Sequence, residues 1–298
     1  MAGQGARSFL FLMIMRLQEA YKLIKKELEA AGIEEFENDS GLIISEVTKK
    51  SVLSIKLTPF EELSKAEEER LFEITERRRN REPLQFILGY AYFMGLKLPV
   101  SREDDTLIPR FDTEVLCEAV QNEIKGDERV LDLCTGSGCI LLSIAKNKGI
   151  SFGAGCDISE KAILAAKRNA DLFSLSDSCR FFCGDLYEAL PEGTGPFDII
   201  VSNPPYIRER DMENLMPEVR LFEPERALYG GEDGLCFYRR IIKDAGAFLK
   251  PQGKLFLEIG MDEGKEVSDL LREAQFSEIR IIKDLDSLDR VVMSKKRT

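Results

Sequence analysis

The spacing of apolar residues changes about a quarter of the way along the chain. In residues 15–80, apolar positions recur three and four residues apart, in MRLQEAYKLIKKELEAAGI and again in PFEELSKAEEERLFEITERRR. This spacing predicts amphipathic helices. Thr58, followed by Pro59 and by Glu61 three residues on, is expected to cap the second helix, and residues 38–41 (NDSG) to form a loop between helices. We therefore expect a small helical domain over residues 1–80.

Residues 81–110 have a different pattern. EPLQFILGYAYFMGLKLPVSREDDTLIPR places aromatic and β-branched residues between glycines and prolines. This composition predicts a short hairpin that links two domains.

From residue 111 onwards, strand-like and helix-like segments alternate. RVLDLC, SFGAGCD, CRFFCGD, FDIIVSN and KLFLEIG read as strands, and amphipathic stretches separate most of them. The pattern predicts an α/β domain over residues 111–298, with a doubly wound, mostly parallel sheet of seven strands. The tail FSEIRIIKDLDSLDRVVMSKK offers the last two strands with no helix between them, so they are expected to pair antiparallel at an edge.

The composition of the chain limits which catalytic groups and binding partners it can have. The chain has 298 residues, a formal charge of −11 and no histidine, so histidine-dependent triads are excluded. So acidic a chain argues against broad capture of DNA or RNA. Residues 76–82 (ERRRNRE) are the one candidate basic patch, and a solvated helix end explains them equally well.

No apolar run reaches the roughly 18 residues of a membrane span, and residues 9–15 (FLFLMIM) only suffice to seed a helix. A cytoplasmic protein without membrane contact is expected.

The seven cysteines include no C-x-x-C pair and have no histidine to join them. A metal site or a disulfide framework is therefore not expected, and the cysteines are interpreted as reduced core thiols.

Three features fall at carboxyl ends of predicted strands. VLDLC runs into TGSGCILLSIAK, where Gly136 and Gly138 allow a sharp turn before a helix. Asp157 ends the next strand about 20 residues on, and Asp185 follows the third. Each alone also suits a tight turn or a helix cap, but together they indicate a nucleoside site. Leu141 replaces the third glycine of G-x-G-x-x-G, so a nucleoside without pyrophosphate, S-adenosylmethionine, fits best.

NPPY, residues 203–206, follows the fourth strand. Successive prolines fix the backbone and remove two N–H donors, which leaves their carbonyls as rigid acceptors. The Asn203 oxygen adds another acceptor, so the two hydrogens of a planar NH2 group can be held while Tyr206 packs on its face. A simple loop-breaking role for the prolines is the alternative. Beside a nucleoside site, we favour an amine-orienting loop, for which no strong base is needed.

VLDLCTGSGCI, CDIS, CGDLY and IIVSNPPYI resemble the motifs of class I S-adenosylmethionine-dependent methyltransferases acting on planar nitrogen. REPLQFILGYAYFMGLKLPV, LIPRFDTEVL, RLFEPERALYGGEDGLCFYRRII and LEIG resemble, more narrowly, the peptide chain release factor glutamine methyltransferase family. The resemblance covers about residues 81–292. NPPY is shared with DNA adenine methyltransferases, whereas LIPR-x-DTE is much more specific.

The resemblance implies roles for named residues. The Asn203, Pro204, Pro205 and Tyr206 loop would hold the substrate glutamine amide, with Asn203 also bordering the cofactor. Residues 108–114 would close over the methionine end of the cofactor, and residues 222–228 (FEPERAL) would shape the substrate opening. The implied cofactor contacts are Cys134, Thr135, Gly136, Ser137, Gly138, Asp157, Asp185, Leu186, Arg110 and Thr113.

The sequence departs from the family pattern at three places. Cys134 stands where glycine is usual, Phe111 replaces a proline after Arg110, and DLDSLDRVV lacks a glycine in the final hairpin. None removes a chemical group that methyl transfer needs.

The implied activity is methylation of the Gly-Gly-Gln glutamine of class I peptide chain release factors, with S-adenosyl-L-homocysteine as the second product. The helical domain would dock the substrate, and a monomer is expected. A ribosomal-protein glutamine methyltransferase shares every catalytic residue and remains an alternative. An adenine-specific nucleic-acid methyltransferase fits the acidic chain less well. A catalytically silent binding module is disfavoured by the intact NPPY.

Overall fold

The computed structural model describes residues 15–297, which form two compact units that divide in sequence between Leu88 and Gly89. The first unit is helical, and its core of leucine and isoleucine side chains is fully buried. Its helices are α1 (Leu17–Ala30), α2 (Phe36–Thr48), α3 (Val52–Leu57), α4 (Lys65–Arg79) and α5 (Leu84–Leu88). The predicted helix seed at residues 9–15 lies, apart from Met15, outside the described residues. No helix in residues 15–297 has the length and apolar content needed to cross a bilayer.

The predicted loop at residues 38–41 is wrong, because these residues lie inside α2. Tertiary packing overrides their turn-forming preference. Asp39 is buried and forms an ion pair with Arg78 at 2.7 Å, and the Ser40 hydroxyl donates to the Phe36 carbonyl. Gly41 lies against Val52, whose methyl groups are 3.5 Å from the position of a Cβ at residue 41.

The predicted cap at Thr58 is also wrong. Thr58 follows α3, and its amide donates to the Ser54 carbonyl. The next helix begins at Lys65, seven residues after Thr58, and its cap is Ser64. The Ser64 side chain accepts from the Glu67 amide while the Glu67 carboxylate accepts from the Ser64 amide, a reciprocal capping box.

The arginines of residues 76–82 all have partners within the helical unit. The pairs are Arg77 with Glu82, Arg78 with Asp39, Arg79 with Glu27, and Arg81 with the Gly32 carbonyl. This cluster therefore stabilises the helical unit and is not a free basic patch.

The second unit contains the predicted hairpin and the sheet. The hairpin strands are β1 (Tyr90–Phe93) and β2 (Leu96–Pro99), and they pair antiparallel. The sheet strands are β3 (Arg129–Leu133), β4 (Phe152–Asp157), β5 (Cys179–Cys183), β6 (Phe197–Ser202), β7 (Leu249–Glu258), β8 (Ser277–Lys283) and β9 (Asp289–Lys295). Their order is β5-β4-β3-β6-β7-β9-β8, and β9 runs antiparallel to both neighbours. The predicted seven-stranded, mostly parallel sheet is confirmed.

The helices of this unit are α6 (Phe111–Gln121), α7 (Cys139–Lys148), α8 (Glu160–Phe173), α9 (Pro217–Phe222), α10 (Cys236–Phe248) and α11 (Gly264–Glu273). Helices cover both faces of the sheet, and successive strand residues pack on opposite sides. On β3, Val130 packs with α6, α7 and α8, whereas Leu131 and Leu133 pack with α10 and α11. The hairpin also contributes buried side chains to the first of these clusters, including Phe93 and Leu98.

Candidate active site

A cleft lies at the carboxyl ends of β3 and β6, where the strand order reverses. Open α/β sheets bind ligands at this place. The cleft encloses about 930 Å³ of space when its open mouth is included. Of the predicted residues, it is lined by Arg110, Thr113, Cys134, Thr135, Gly136, Ser137, Asp157, Asp185, Leu186, Asn203 and Pro205. Gly138, Pro204 and Tyr206 do not line it.

The turn after β3 explains both the glycines and the unusual cysteine. Cys134, Gly136 and Gly138 all have positive φ, at +57°, +54° and +79°. Glycine adopts this conformation freely, whereas a side chain at such a φ costs about 1 kcal/mol or more. A Cβ on Gly138 would lie 3.2 Å from Ala166 and 3.2 Å from Phe181. Gly138 therefore serves the packing of the turn, and Gly136 faces the cleft.

Asp157 ends β4 with its carboxylate held by backbone amides. The Gly136 amide donates to Oδ2 and the Ser159 amide to Oδ1, both at 2.9 Å. Burial raises the pKa of Asp157, and these two hydrogen bonds oppose that shift. The predicted glycine turn and Asp157 are therefore linked by a direct hydrogen bond.

Asp185 lies beyond β5 and is shared with a surface arginine. Its Oδ2 is 2.7 Å from Arg240 Nη2, and both side chains are a little over two-fifths exposed. Leu186 follows with a φ of +50° and lines the cleft. The second predicted acid therefore lines the cleft and is paired with Arg240, a residue that the sequence did not indicate and that does not line the cleft itself.

Asn203 follows β6 directly, across from the turn after β3. Leu133 and Ser202 are partners in the parallel register, and the Ser202 hydroxyl donates to the Leu133 carbonyl at 2.7 Å. The Asn203 Nδ2 donates to Thr113 Oγ1 at 3.2 Å. The predicted contacts Thr113 and Asn203 are therefore hydrogen-bonded to each other.

The backbone of the NPPY loop is held from behind by residues 228–234. The Ile207 amide donates to the Leu228 carbonyl at 2.9 Å, and the Gly230 amide donates to the Ile207 carbonyl at 2.8 Å. A Cβ on Gly230 would lie 2.7 Å from Tyr206 Cα and 2.8 Å from the Pro205 oxygen. Only glycine permits this close approach.

A segment that we call the strap, residues 105–110, lines the cleft and is held at both ends by residues 222–228. The buried Glu223 accepts from the Ile108 amide at 3.0 Å and forms an ion pair with Arg110. Arg226 pairs with Asp105 and donates to Ser159 Oγ at 2.6 Å. Burial raises the pKa of Glu223, and the Arg110 charge opposes this shift. The Arg110 guanidinium, predicted to contact the cofactor, therefore already has Glu223 as an anionic partner.

Sequence reasoning missed several cleft residues. Arg226 and Phe237 line the cleft, and Glu223 and Gly230 hold its loops. Their segments, FEPERAL and YGGEDGLCFY, carried part of the family resemblance, but no spacing rule assigned these residues a contact.

Three buried acids surround the carboxyl ends of the central strands. Desolvation raises the pKa values of Asp132, Glu258 and Glu263 to about 7 each. Asp132 Oδ2 accepts from Thr135 at 2.6 Å, while Oδ1 has no hydrogen-bond partner among the described residues. Glu263 accepts from the Gly260 amide and from the Tyr238 hydroxyl.

All seven cysteines are free thiols. Five are buried or half-buried, and burial raises the pKa of Cys139 and of Cys156 to about 12. Cys183 and Cys236 are exposed, so the prediction that all seven lie in the core is wrong for these two.

Two family models match the chain. The model described as PrmC N-terminal domain matches residues 19–89, and the model described as Methyltransferase small domain matches residues 110–228. The first match covers most of the helical unit, and the second covers the turn after β3, Asp157, Asp185 and the NPPY loop.

Curated relatives match nearly the whole chain. The release factor glutamine methyltransferase of Clostridium acetobutylicum is 39% identical over 282 residues, which is 94% of this chain and 98% of the relative. The release factor glutamine methyltransferase of Agrobacterium fabrum is 39% identical over 91% of this chain and 94% of the relative.

Among solved structures, the crystal structure of a methyltransferase from Pyrococcus furiosus is similar to 75% of this chain and to all of that chain. The TM-score is 0.54 and the sequence identity 19%. This likeness concerns the fold alone.

Proposed function

The chain belongs to the release factor glutamine methyltransferase family, and from this premise we propose that it methylates the side-chain amide nitrogen of the Gly-Gly-Gln glutamine in class I peptide chain release factors. The observation that carries the proposal is the position of Asn203. Asn203 lines the cleft, and its side chain is hydrogen-bonded to Thr113 of the LIPR-x-DTE segment.

We propose that the cleft holds S-adenosylmethionine, which supplies an electrophilic methyl group and leaves as S-adenosyl-L-homocysteine. The residues present fit such a molecule. Asp157 ends the second strand beside a glycine turn, as ribose-binding acids do. Ile158, Leu186 and Phe237 give the cleft apolar surface for a flat base. Arg110 and Thr113 also line the cleft, and in this proposal they would hold the methionine end.

The NPPY loop supplies acceptors for the substrate amide. In this proposal Asn203 Oδ1 and the Pro204 carbonyl accept the two amide hydrogens, which turns the nitrogen lone pair toward the methyl group. The nitrogen gains one carbon and then releases one proton, which needs no strong base before attack. Tyr206 would border the amide plane. Burial raises the pKa of the Tyr206 phenol, so Tyr206 stays neutral and acts by packing.

The decisive experiment is mass spectrometry of purified release factors incubated with the protein and S-adenosylmethionine. The expected result is one added methyl on the Gly-Gly-Gln glutamine. A ribosomal-protein mixture is run in parallel. A methyl group on a ribosomal glutamine would support glutamine methylation but show that the substrate is a ribosomal protein. Methylated adenine in added DNA or RNA would overturn the amide assignment. No transfer to any acceptor, with the cofactor still bound, would support a silent binder.

Asn203→Ala tests the loop. We expect kcat to fall about 100-fold or more, the usual effect of removing a hydrogen-bonding group that stabilises a transition state. The affinity for S-adenosylmethionine should change little. Asn147→Ala is the matched control, because Asn147 is exposed and bonds only the Met94 carbonyl. Full turnover by Asn203→Ala would refute this mechanism.

We further propose that the helical unit docks the release factor, that residues 81–110 join it to the catalytic domain, and that the enzyme works as a monomer in the cytoplasm without binding DNA or membranes. The internal pairing of the residue 76–82 arginines supports the absence of nucleic-acid binding. Sedimentation of the free protein and a release-factor pull-down with residues 89–298 alone test the monomer and the docking role.

A further inference from the structure

Glu258, the last residue of β7, is a buried acid for which the proposed mechanism gives no role. It is 1% exposed, and its Oε2 has no hydrogen-bond partner among the described residues. A buried carboxyl oxygen without a hydrogen-bond partner costs stability, so a functional role would explain why this residue is an acid. Its position suggests one, because Ser202 and Leu257 are partners in the β6–β7 register and Asn203 and Glu258 follow them.

Two cleft side chains, Thr113 and Asn203, lower the pKa of Glu258 through hydrogen bonding to its carboxyl group. Thr113 is itself 3% exposed and accepts from Asn203 Nδ2 at 3.2 Å. Because this bond occupies the Thr113 hydroxyl as an acceptor, its proton is free to be donated to Glu258. The three side chains therefore form one connected group.

We propose that Glu258 is a positioning residue that fixes the orientation of the Asn203 carboxamide. It accepts from the Thr113 hydroxyl and from Asn203 Nδ2, so that Asn203 Oδ1 faces the cleft. The proposal rests on the proposed function, in which Oδ1 accepts a substrate N–H. A carboxamide turned by 180° would present its NH2 group to another NH2 group, and both groups are donors.

The ionised form of Glu258 is the form that can accept both hydrogen bonds. Desolvation raises the pKa of Glu258 to about 7, and Thr113, Arg290 and Asn203 oppose the shift. Below that pH the carboxyl carries a proton and competes as a donor. The titratable groups that face Glu258 from neighbouring elements are Asp112, Cys117, Cys139, Tyr206, Tyr238 and Arg290. The orientation of Asn203 should therefore loosen as the pH falls through about 7.

The first test observes Asn203 directly. The side-chain NH2 signals of the 15N-labelled protein are recorded by NMR from pH 6 to 9, and the Asn203 pair is assigned by its loss in Asn203→Asp. We expect these signals to shift with an apparent pKa near 7 in the wild type and to lose that titration in Glu258→Gln. Glu263→Gln is the matched control, since Glu263 is another buried acid with a pKa near 7 but contacts Tyr238 and Gly260. It should keep the titration.

The second test measures methyl transfer to the release factor. Glu258→Gln should lower kcat at pH 8 by about tenfold or more, the value of one hydrogen bond to a charged group, and leave the Kd for S-adenosylmethionine unchanged. It should also remove the fall in kcat between pH 8 and 6. The effects of Thr113→Val and Glu258→Gln on kcat should not add, because both changes disrupt the same group of side chains. Thr113→Ser keeps the hydroxyl, so it should restore the turnover that Thr113→Val loses.

The outcomes separate this inference from the proposed function. Asn203 signals that are the same in wild type and Glu258→Gln would overturn the positioning role. A titration of Asn203 that depends on Glu258, in a protein that methylates no release factor, would uphold the positioning role and overturn the proposed function.

Discussion

At the residue scale, the NPPY loop depends on a glycine that lies 24 residues beyond its last position. Gly230 packs against the backbone of Pro205 and Tyr206, where a Cβ would come within 2.8 Å of both. No local rule identifies such a residue, because the contact exists only once the chain has folded. NPPY itself was recognisable because its prolines act through their own backbone geometry.

Gly230→Ala should displace the loop. We expect kcat to fall about 100-fold while the Kd for S-adenosylmethionine changes less than about threefold, because misplacing a reacting group by about 1 Å costs this much. Kinetics and calorimetric titration measure the two effects. Gly246→Ala is the control, since nothing lies within 4 Å of its added carbon. Near-normal turnover by Gly230→Ala would contradict a rigid loop.

Asp132→Asn should change how stability depends on pH. The folded protein holds a proton on Asp132 up to about pH 7, whereas the unfolded chain releases it near 3.8. The native state therefore binds more protons in this window, and this residue's contribution to stability is lost as pH rises from about 4 to 7. The unfolding free energy of the variant minus that of the wild type should therefore rise by up to about 3 kcal/mol as the pH increases from 5 to 8. Urea titrations measure this gain, and a difference independent of pH would contradict the shift.

At the scale of elements, one wall of the cleft is formed by the strap, which is fastened at both ends. Glu223 holds Ile108 and Arg110, and Arg226 holds Asp105. The two segments are more than a hundred residues apart in the chain. Because residues 105–110 line the cleft, we expect these fastenings to influence how long a cofactor stays bound.

Arg226→Met tests the strap. The change removes the pairs with Asp105 and Ser159 but keeps an unbranched side chain, so we expect S-adenosyl-L-homocysteine to dissociate about ten times faster. Stopped-flow displacement measures the rate. Arg239→Met is the matched control because it removes an exposed arginine pair with Asp233, outside the cleft. An unchanged dissociation rate in Arg226→Met would show that the Glu223 end holds the strap by itself.

Strands were easier to predict than helix boundaries. FDIIVS and its neighbours are rich in apolar and β-branched residues, as strands of a mostly parallel sheet are, and each one appears in the sheet. Residues 38–41 instead carry strong turn preferences that the ion pair of Asp39 and the close contact of Gly41 override. Asp157 and Asn203 could be placed in the cleft from the sequence because they follow strands whose carboxyl ends meet in this fold. The contacts of Glu223 and Glu258 could not be predicted, because they depend on which distant segments lie side by side.

At the scale of the whole molecule, the two units have separate hydrophobic cores. The core of the helical unit consists of residues 17–87, and the cores of the α/β unit begin at Phe93. Since a domain with its own core is able to fold alone, the α/β unit should be stable by itself.

A fragment of residues 89–298 should melt cooperatively and bind S-adenosylmethionine with a Kd within about threefold of the full chain, because every cleft residue lies inside it. Scanning calorimetry and titration measure both. A fragment that melts without a cooperative transition would show that the helical unit is required for the fold of the other.

The order of the sheet has a consequence for synthesis. β8 precedes β9 in the chain but lies outside it, and it reaches the sheet only by pairing with β9. On the ribosome, β8 therefore emerges with no strand to receive it, and β7 keeps an open edge until residues 289–295 have been translated. Arg290, which contacts Asp112 of α6, arrives with that same strand. A chain that stalls before this point has every motif residue of the cleft but an unfinished sheet behind it.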